Sequence, residues 1–295
     1  MFVSVIVPMY NAERYLAGCL DGLVSQDYPS SDYEILLVDN QSTDRSVEIG
    51  RRYPRVTLLS EAAPGAYLAR NRGIRAARGE ILAFTDPDCV PAASWIREIA
   101  SAMADPEIDL VCGRRLPARR SFLLASIGDY ENTKDQFMME ANDPELYYGY
   151  TSNMAVRRNL FDSLGLFHDL PRGADALFVR QVAEERSCAR IRFLASAVVT
   201  HLELDRVSVY YKKVFLYGRH RRRANSILRT RPLNLVERME VYRRTVSAGR
   251  YSLVRSAVLL GALGLGSLAW FAGSATAQAG KATASGHSTG APHVH

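Results

Sequence analysis

Glu80-Ile-Leu-Ala-Phe-Thr-Asp-Pro-Asp88 is the stretch on which the fold turns. Residues Ile81 to Phe84 are an apolar run closed by Asp86-Pro87-Asp88, the pattern of a buried strand that stops at a turn. Pro87 has no N–H to give to a ladder, so pairing ends there. Two carboxylates are thereby held at a strand's carboxyl end, where open α/β sheets gather their ligands. Asp-x-Asp offers hard oxygen donors that suit Mg2+ or Mn2+ shared with substrate phosphates. A solvated Asp-Pro turn reads the same way, and the flanking chain decides between the two.

Toward the N-terminus the pattern alternates. Phe2 to Pro8 reads as a strand, Tyr10-Asn11 as a turn, and Ala12 to Ser25 as a helix with Leu16, Leu20 and Leu23 at helical spacing. Glu34 to Asp39 is a second strand ending on a carboxylate, and Ser42 or Thr43 is the expected N-cap of the helix that follows. Val56 to Ser60 is a third strand and Ala66 to Ala77 a helix. Such alternation predicts a doubly wound, mostly parallel sheet flanked by helices. Three strands then end together at Pro8-Met-Tyr10, Asp39 and Asp86. A carboxylate there can accept from a uracil N3–H or a ribose hydroxyl, and the following helix N-termini favour a diphosphate. No Gly-x-Gly-x-x-Gly follows the first strand and no Walker A lysine loop occurs, which argues against a dinucleotide dehydrogenase or a P-loop NTPase.

Downstream, Pro91 to Ala104 is expected to be helical, with proline in its first turn. Leu110 to Gly113 reads as a strand, and from Leu116 to Tyr148 the pattern weakens. Arg114, Arg115, Arg119 and Arg120 precede an apolar stretch, Phe122 to Ile127, that either covers the site or faces a lipid acceptor. Tyr150 to Val156 reads as a strand, Arg157 to Leu164 as a helix, and Gly173 to Arg180 opens another helix with Asp175 in its first turn. By itself Asp175 is a favourable helix-start charge. Val198 to His201 is a strand ending on a histidine that is either structural or a ligand.

Composition narrows the classes. The chain has 295 residues, 47% of them apolar, and a net charge of +6 carried mostly by arginine. That balance fits phosphorylated substrates, an anionic membrane or nucleic acid; the motifs leave little room for nucleic acid. Four separated cysteines (19, 89, 112 and 188) supply no zinc or disulfide framework and fit a reducing compartment. No secretory signal is expected at the N-terminus. Asp205 to Arg231 mixes Tyr210, Tyr211 and Tyr217 with Arg219-His-Arg-Arg-Arg223, which suits a membrane surface. Ser256 to Gly280 carries no charge and is long enough for a transmembrane or deeply embedded helix, the rival being a buried helix or hairpin packed on the domain. Arginine is dense before it, so the positive-inside rule places the preceding domain in the cytoplasm. The tail from 281 is expected to be disordered, with no role for His287, His293 or His295.

Taken together, Val5-Ile-Val-Pro-Met-Tyr-Asn11, Val38-Asp-Asn-Gln-Ser-Thr-Asp44, Gly65 to Gly73, Phe84-Thr-Asp-Pro-Asp88, Ser152-Asn-Met-Ala-Val156 and Gly173-Ala-Asp175 resemble family 2 glycosyltransferases of the GT-A fold, over about residues 1–225. The resemblance implies a nucleotide-sugar donor (a UDP, GDP or dTDP sugar) and a divalent metal, Mn2+ or Mg2+. It implies that Asp39 contacts the base, that Pro8, Tyr10 and Asn11 line its pocket, and that Arg70 lies near the phosphates or sugar. Asp86 and Asp88 match the family's metal and ribose/diphosphate motif, with His201 a further metal or diphosphate contact. Asp175 matches the catalytic base, and Ser152 and Asn153 fall on the acceptor side. The chain departs from the pattern at Asn40, where a second acid is common, at Gln41, where glycine is common, and at Ala174, where an acid often precedes the base. Glu184 and Glu185 are weaker substitutes for Asp175. No Gln-x-x-Arg-Trp follows Asp175, which favours transfer of one sugar over processive synthesis.

The resulting expectation is a domain over 1–225, with a donor half at 1–115 and an acceptor half at 116–225. A helical membrane-associated region follows at 226–280, with a candidate transmembrane helix at 256–277, and then a tail at 281–295. The expected activity is inverting transfer to a hydroxyl, on a polyprenyl-linked or other envelope glycan, at the cytoplasmic membrane. A sugar-1-phosphate nucleotidylyltransferase would need a Gly-rich basic loop where Pro8 to Asn11 stands. The non-enzymatic alternative is a nucleotide-sugar-binding or membrane scaffold protein on the same fold.

Overall fold

In the computed structural model, residues 1–118, 121–225 and 231–284 are described. Their strands form one eight-stranded sheet in the order β3-β2-β1-β4-β7-β6-β8-β5. The first half alternates as its sequence dictates: β1 (Val3–Met9), α1 (Leu16–Val24), β2 (Tyr33–Asp39), α2 (Ser46–Arg51), β3 (Val56–Ser60), α3 (Ala66–Ala76) and β4 (Ile81–Thr85). These strands pair in parallel. Each of Val3 to Met9 and Ile81 to Thr85 is buried, because helices cover both faces, as parallel sheets require.

The second half is mixed. It contains β5 (Cys89–Pro91), α4 (Trp95–Ala102), β6 (Leu110–Pro117), α5 (Phe122–Glu140), β7 (Asn153–Arg157), α6 (Arg158–Leu164), α7 (Ala174–Glu185) and β8 (Ile191–His201). Here β4 pairs antiparallel with β7, β7 with β6, and β8 with β5, while β6 and β8 run parallel. A last group, α8 (Val207–Asn225), α9 (Leu235–Ala248) and α10 (Leu253–Ala284), packs on α5.

Several boundaries differ from expectation. The first helix starts at Leu16, because Ala12 to Tyr15 form a turn closed by Tyr15 N–H to Ala12 C=O at 3.0 Å. Pro91 lies in the edge strand β5, where a missing N–H costs no ladder bond, and the helix begins at Trp95. Ser42 and Thr43 cap no helix: α2 begins at Ser46, and both residues bond to Asn11. The weak segment after Leu116 holds a helix of 19 residues, α5, whose buried face includes Ser126, Asn132 and Asp135. Those buried polar groups broke the apolar period. The tail expected from 281 is helical as far as Ala284. Arg119, Arg120, residues 226–230 and the remaining tail, with His287, His293 and His295, lie outside the described residues.

Candidate active site

Register brings the carboxyl ends of β1, β2 and β4 to one crevice: Met9 pairs with Asp39, and Ile6 with Phe84. On the β1–β2 side, Asp39 Oδ1 accepts from Ser42 N–H at 3.1 Å. Asn11, in the left-handed region at φ 48°, accepts from Thr43 N–H at 2.8 Å and donates its own N–H to Ser42 Oγ at 3.1 Å. Pro8 is buried in β1, and Tyr10 is 63% exposed at the mouth.

The departures at 40 and 41 have local causes. Asn40 is buried and donates to Glu61 C=O at 3.0 Å and Ala63 C=O at 2.7 Å, while its Oδ1 accepts from Gly65 N–H at 2.7 Å. A carboxylate could do only the last of these. Gln41 has φ 66°, a left-handed conformation in which glycine is the unstrained choice; its amide is anchored to Ala62 C=O.

Across the crevice, α3 carries two functional side chains one turn apart. Arg70, 5% exposed, pairs with Asp86 at 2.5 Å and lies over the Tyr67 ring at 5.2 Å. Tyr67 donates its hydroxyl to Asp175 Oδ1 at 2.7 Å and accepts from Gly173 N–H at 3.1 Å. Gly173 sits at φ 89° before α7, which lets Asp175 turn back toward β7. There Asp175 Oδ2 accepts from Thr151 N–H at 3.0 Å. A chain of contacts thus links Asp86, Arg70, Tyr67 and Asp175. Arg70 Nε is buried without a partner, a donor left over for a ligand.

Asp88 stands apart from Asp86. The antiparallel pairing of Cys89 with His201 sets the imidazole beside it, with His201 Nδ1 3.3 Å from Asp88 Oδ2. The angle there gives no hydrogen bond, and Nδ1 is left as an orphaned buried atom. Burial, then the charge of Asp86, pushes the Asp88 carboxyl up to about 7. Burial, then Lys213, pushes His201 down to about 3. Each shift is toward the neutral species, the direction expected of a charge withdrawn from water. Cys89 lies within reach, but burial raises its thiol well above the ordinary range. A neutral thiol is a poor ligand for hard cations, so the donor set that fits a divalent ion is Asp88 with His201. Asp86, occupied by Arg70, is outside this group.

Other sequence candidates lie elsewhere. Asn153 is 2% exposed and fully engaged: it accepts from Trp95 Nε1 at 2.8 Å and donates to Arg114 C=O and Ala197 C=O, each at 2.9 Å. It holds β6, β7 and β8 together and presents no polar atom to an acceptor. Ser152 is buried, its carbonyl accepting from Thr85 Oγ1 at 3.0 Å. Glu184 pairs with Arg180, and Glu185 accepts from Gln181 at 2.8 Å, so neither replaces Asp175. Arg115 stacks 3.7 Å over Tyr150 and pairs with Asp135 at 2.8 Å.

Sequence reasoning missed Tyr67, Thr151 and Lys213. Tyr67 and Arg70 share a helical face at i, i+3, a readable signal. Lys213 lies on α8, 3.2 Å from His201 Nε2 and 2.7 Å from Glu203. Only the folded chain reveals that contact.

Residues 4–165 match the family described as glycosyl transferase family 2. Glycosyltransferase AglE of Haloferax volcanii is 33% identical over 192 residues, which is 62% of this chain and 62% of that protein. The uncharacterized glycosyltransferase EpsJ of Bacillus subtilis is 32% identical over 178 residues, 57% of this chain and 51% of that protein. The chain thus spans less than two thirds of either relative. Among solved structures, the mannosyltransferase PcManGT from Pyrobaculum calidifontis, in complex with GDP-Man and Mn2+, superposes with a TM-score of 0.60 at 24% identity, covering 96% of this chain and 79% of that one. S. aureus TarS 1-349 in complex with UDP-GlcNAc gives 0.57 at 18% identity, covering 91% and 81%. At such identities the likeness establishes a shared fold.

Proposed function

Because the chain belongs to glycosyl transferase family 2, we propose that it moves a single sugar from a nucleoside-diphosphate sugar to a hydroxyl acceptor, with inversion and with the aid of a divalent metal. The observation that carries this reading is the linked set Asp86–Arg70–Tyr67–Asp175 beside the Asp88–His201 pair. The first set joins a phosphate-side cation to a candidate base; the second is a hard-ligand pair with an orphaned nitrogen. The GDP-Man and Mn2+ of PcManGT and the UDP-GlcNAc of TarS support a UDP or GDP sugar with Mn2+ or Mg2+ as the ligands to try.

In this mechanism Asp39, Pro8, Tyr10 and Asn11 receive the base and ribose at the ends of β1 and β2. Arg70 presents fixed positive charge to the departing diphosphate, aided by its unpaired Nε–H. Asp88 and His201 would hold the metal, with Asp86 at the margin; when bound it neutralises charge on the leaving phosphate. Asp175 takes the proton of the acceptor hydroxyl as that oxygen attacks the anomeric carbon. Tyr67 and the Thr151 N–H hold the carboxylate in place and aimed. One displacement inverts the anomeric centre and leaves no covalent sugar on the enzyme.

The proposal extends to place. The exposed apolar face of α10 supports membrane association and an acceptor carried on lipid, such as a polyprenyl-linked envelope glycan. The four free, buried cysteines fit a cytoplasmic catalytic domain. The test is Mn2+-dependent thermal stabilisation by UDP, GDP and dTDP. Ligand at about 100 times its Kd adds about 2.7 kcal/mol. One diphosphate should stabilise the protein with Mn2+, and Asp88→Ala should lose the effect. Unchanged stabilisation of Asp88→Ala would overturn the metal assignment, and retained configuration in the product would overturn inversion.

A further inference from the structure

By length and composition, Leu253–Thr276 can cross a membrane, with 22% of its apolar window buried. Its packing argues for another arrangement. Leu259, Ala262, Gly266 and Gly273 form one buried stripe along α10. From Ala262 to Ser274 this side of α10 lies against α8: Tyr211 donates to Ala262 C=O at 3.0 Å, and Ser274 donates to Gly218 C=O at 3.1 Å. A Cβ on Gly273 would run into the Phe215 carbonyl, and one on Gly218 into that of Trp270. At the other end Arg255 reaches Ser126 of α5 at 2.9 Å, and Leu259 and Ala262 join the cluster around Ile127 and Val241.

The opposite face is bare. Leu260, Leu265, Leu268 and Phe271 are 47, 59, 66 and 64% exposed. Leu235, Val236 and Met239 of α9 are exposed as well, and Arg238 of the same helix reaches Ser267 on the flank of α10 at 3.5 Å. By sequence α8 has six Lys or Arg residues and α10 two, with no Asp or Glu in either. Such a surface complements a bilayer containing anionic lipid.

We propose that α10 lies in the plane of such a bilayer, outer face inserted, and does not cross it. A crossing helix is surrounded by lipid, yet α10 carries α8 along its other side. Crossing would draw Lys212, Lys213 and Arg219 of α8 into hydrocarbon, which is costly. It would also carry His201 there, since Lys213 touches it. In the plane, the charged helix stays above the headgroups, and the crevice opens one helix layer, roughly 10 Å, from the lipid. The lipid-linked acceptor rests on the function proposed above; the position of the helix does not.

The test uses the full chain. Flotation is measured with vesicles of phosphatidylcholine alone and with about one third phosphatidylglycerol. Binding should favour the anionic vesicles. Leu268→Asp with Phe271→Asp should weaken it more than about tenfold, with thermal unfolding and Mn2+-dependent diphosphate binding unchanged. Sidedness is read with His295→Cys and an impermeant maleimide, the native cysteines being buried. In sealed membranes with the catalytic domain outward, labelling without detergent supports the in-plane helix; labelling only after detergent shows a crossing and overturns it. Equal flotation of the double variant would overturn it too. So would a lack of flotation together with a dimer that the same substitutions dissolve, since a second copy would then cover the face. Failed diphosphate binding with intact flotation would sink the glycosyl-transfer reading alone.

Discussion

Asp175→Asn separates a base from a helix-start charge. The carboxylate accepts at Oδ1 from Tyr67 (2.7 Å) and Ala176 N–H (3.0 Å), and at Oδ2 from Thr151 N–H (3.0 Å) and Thr151 Oγ (3.3 Å). Asparagine keeps one of these oxygens. With that oxygen toward Thr151, its amide faces Tyr67, whose hydroxyl can turn to accept; the Ala176 N–H loses its partner. The stability cost is then about one unmade hydrogen bond, about 1–3 kcal/mol, or several degrees of Tm at this size. The catalytic cost is larger. A general base contributes typically 10²–10⁴ in rate, about 2.7–5.5 kcal/mol of barrier. The assay is transfer at saturating donor and acceptor beside the Kd of the donor diphosphate. The expected result is a rate lowered at least about a hundredfold with an unchanged Kd. Tyr67→Phe, which removes one donor to the carboxylate but no acceptor of protons, should lose about tenfold or less. An Asp175→Asn rate within a factor of about three, in protein that still binds donor, would refute the assignment and leave Asp175 a structural charge.

Three further outcomes follow from the geometry. Mn2+ competes with a proton on Asp88, whose carboxyl is pushed up to about 7; as pH rises from about 6 to about 8 the ionised fraction climbs from about one tenth to about nine tenths. Titration calorimetry should show about tenfold tighter Mn2+ binding across that interval, flattening above it, and a level profile would contradict the role of Asp88. Asn153→Ala strands the Trp95 N–H and two backbone carbonyls inside the sheet; at about 1–3 kcal/mol for each buried unpaired group, urea midpoints should fall sharply, whereas a near-neutral effect would remove its role as a clamp. Gly273→Ala forces α10 away from α8 at about 1–3 kcal/mol, read as faster proteolysis of α10 with donor affinity intact; an unchanged digestion rate would mean that the helices do not need that contact.

The donor half was legible because its signals are local. Val3 to Met9, Tyr33 to Asp39 and Ile81 to Thr85 are mostly apolar runs, the second ending on Asp39 and the third followed at once by Asp86. The base candidate was readable only through the family resemblance, since an acid in a helix's first turn has a sufficient local reason to be there. What failed did so by tertiary context. Pro91 looked like a helix start but serves an edge strand. Asn153 looked like a ligand-facing polar residue but satisfies three partners, on α4, β6 and β8, and α5 hid because Asn132 and Asp135 are buried in place of apolar residues. Pairing of this kind leaves no period in the sequence.

By sequence the basic helix α8 suits a membrane surface, because its charges are numerous and its aromatics interleaved. In the fold it faces two ways. Lys213 touches His201, and the Tyr217 phenol lies within electrostatic reach of Arg115, Arg172 and Asp175; the back of the helix meets α10 through Gly218. One helix therefore separates the donor-side histidine from the apolar face, and it is pinned on both sides. A displacement of α10 at a surface cannot leave α8 where it is, because the carbonyls of Phe215 and Trp270 stand too close to Gly273 and Gly218 for either helix to slide independently. Lys213 would move with α8, and its hydrogen bond to the imidazole would lengthen. On these contacts, vesicle binding and Mn2+ affinity should be linked, and linkage requires the effect to be reciprocal. Anionic vesicles should change the apparent Kd for Mn2+ by the same factor by which Mn2+ changes vesicle binding. Two equilibria that ignore each other would mean that α8 is a rigid wall rather than a connection.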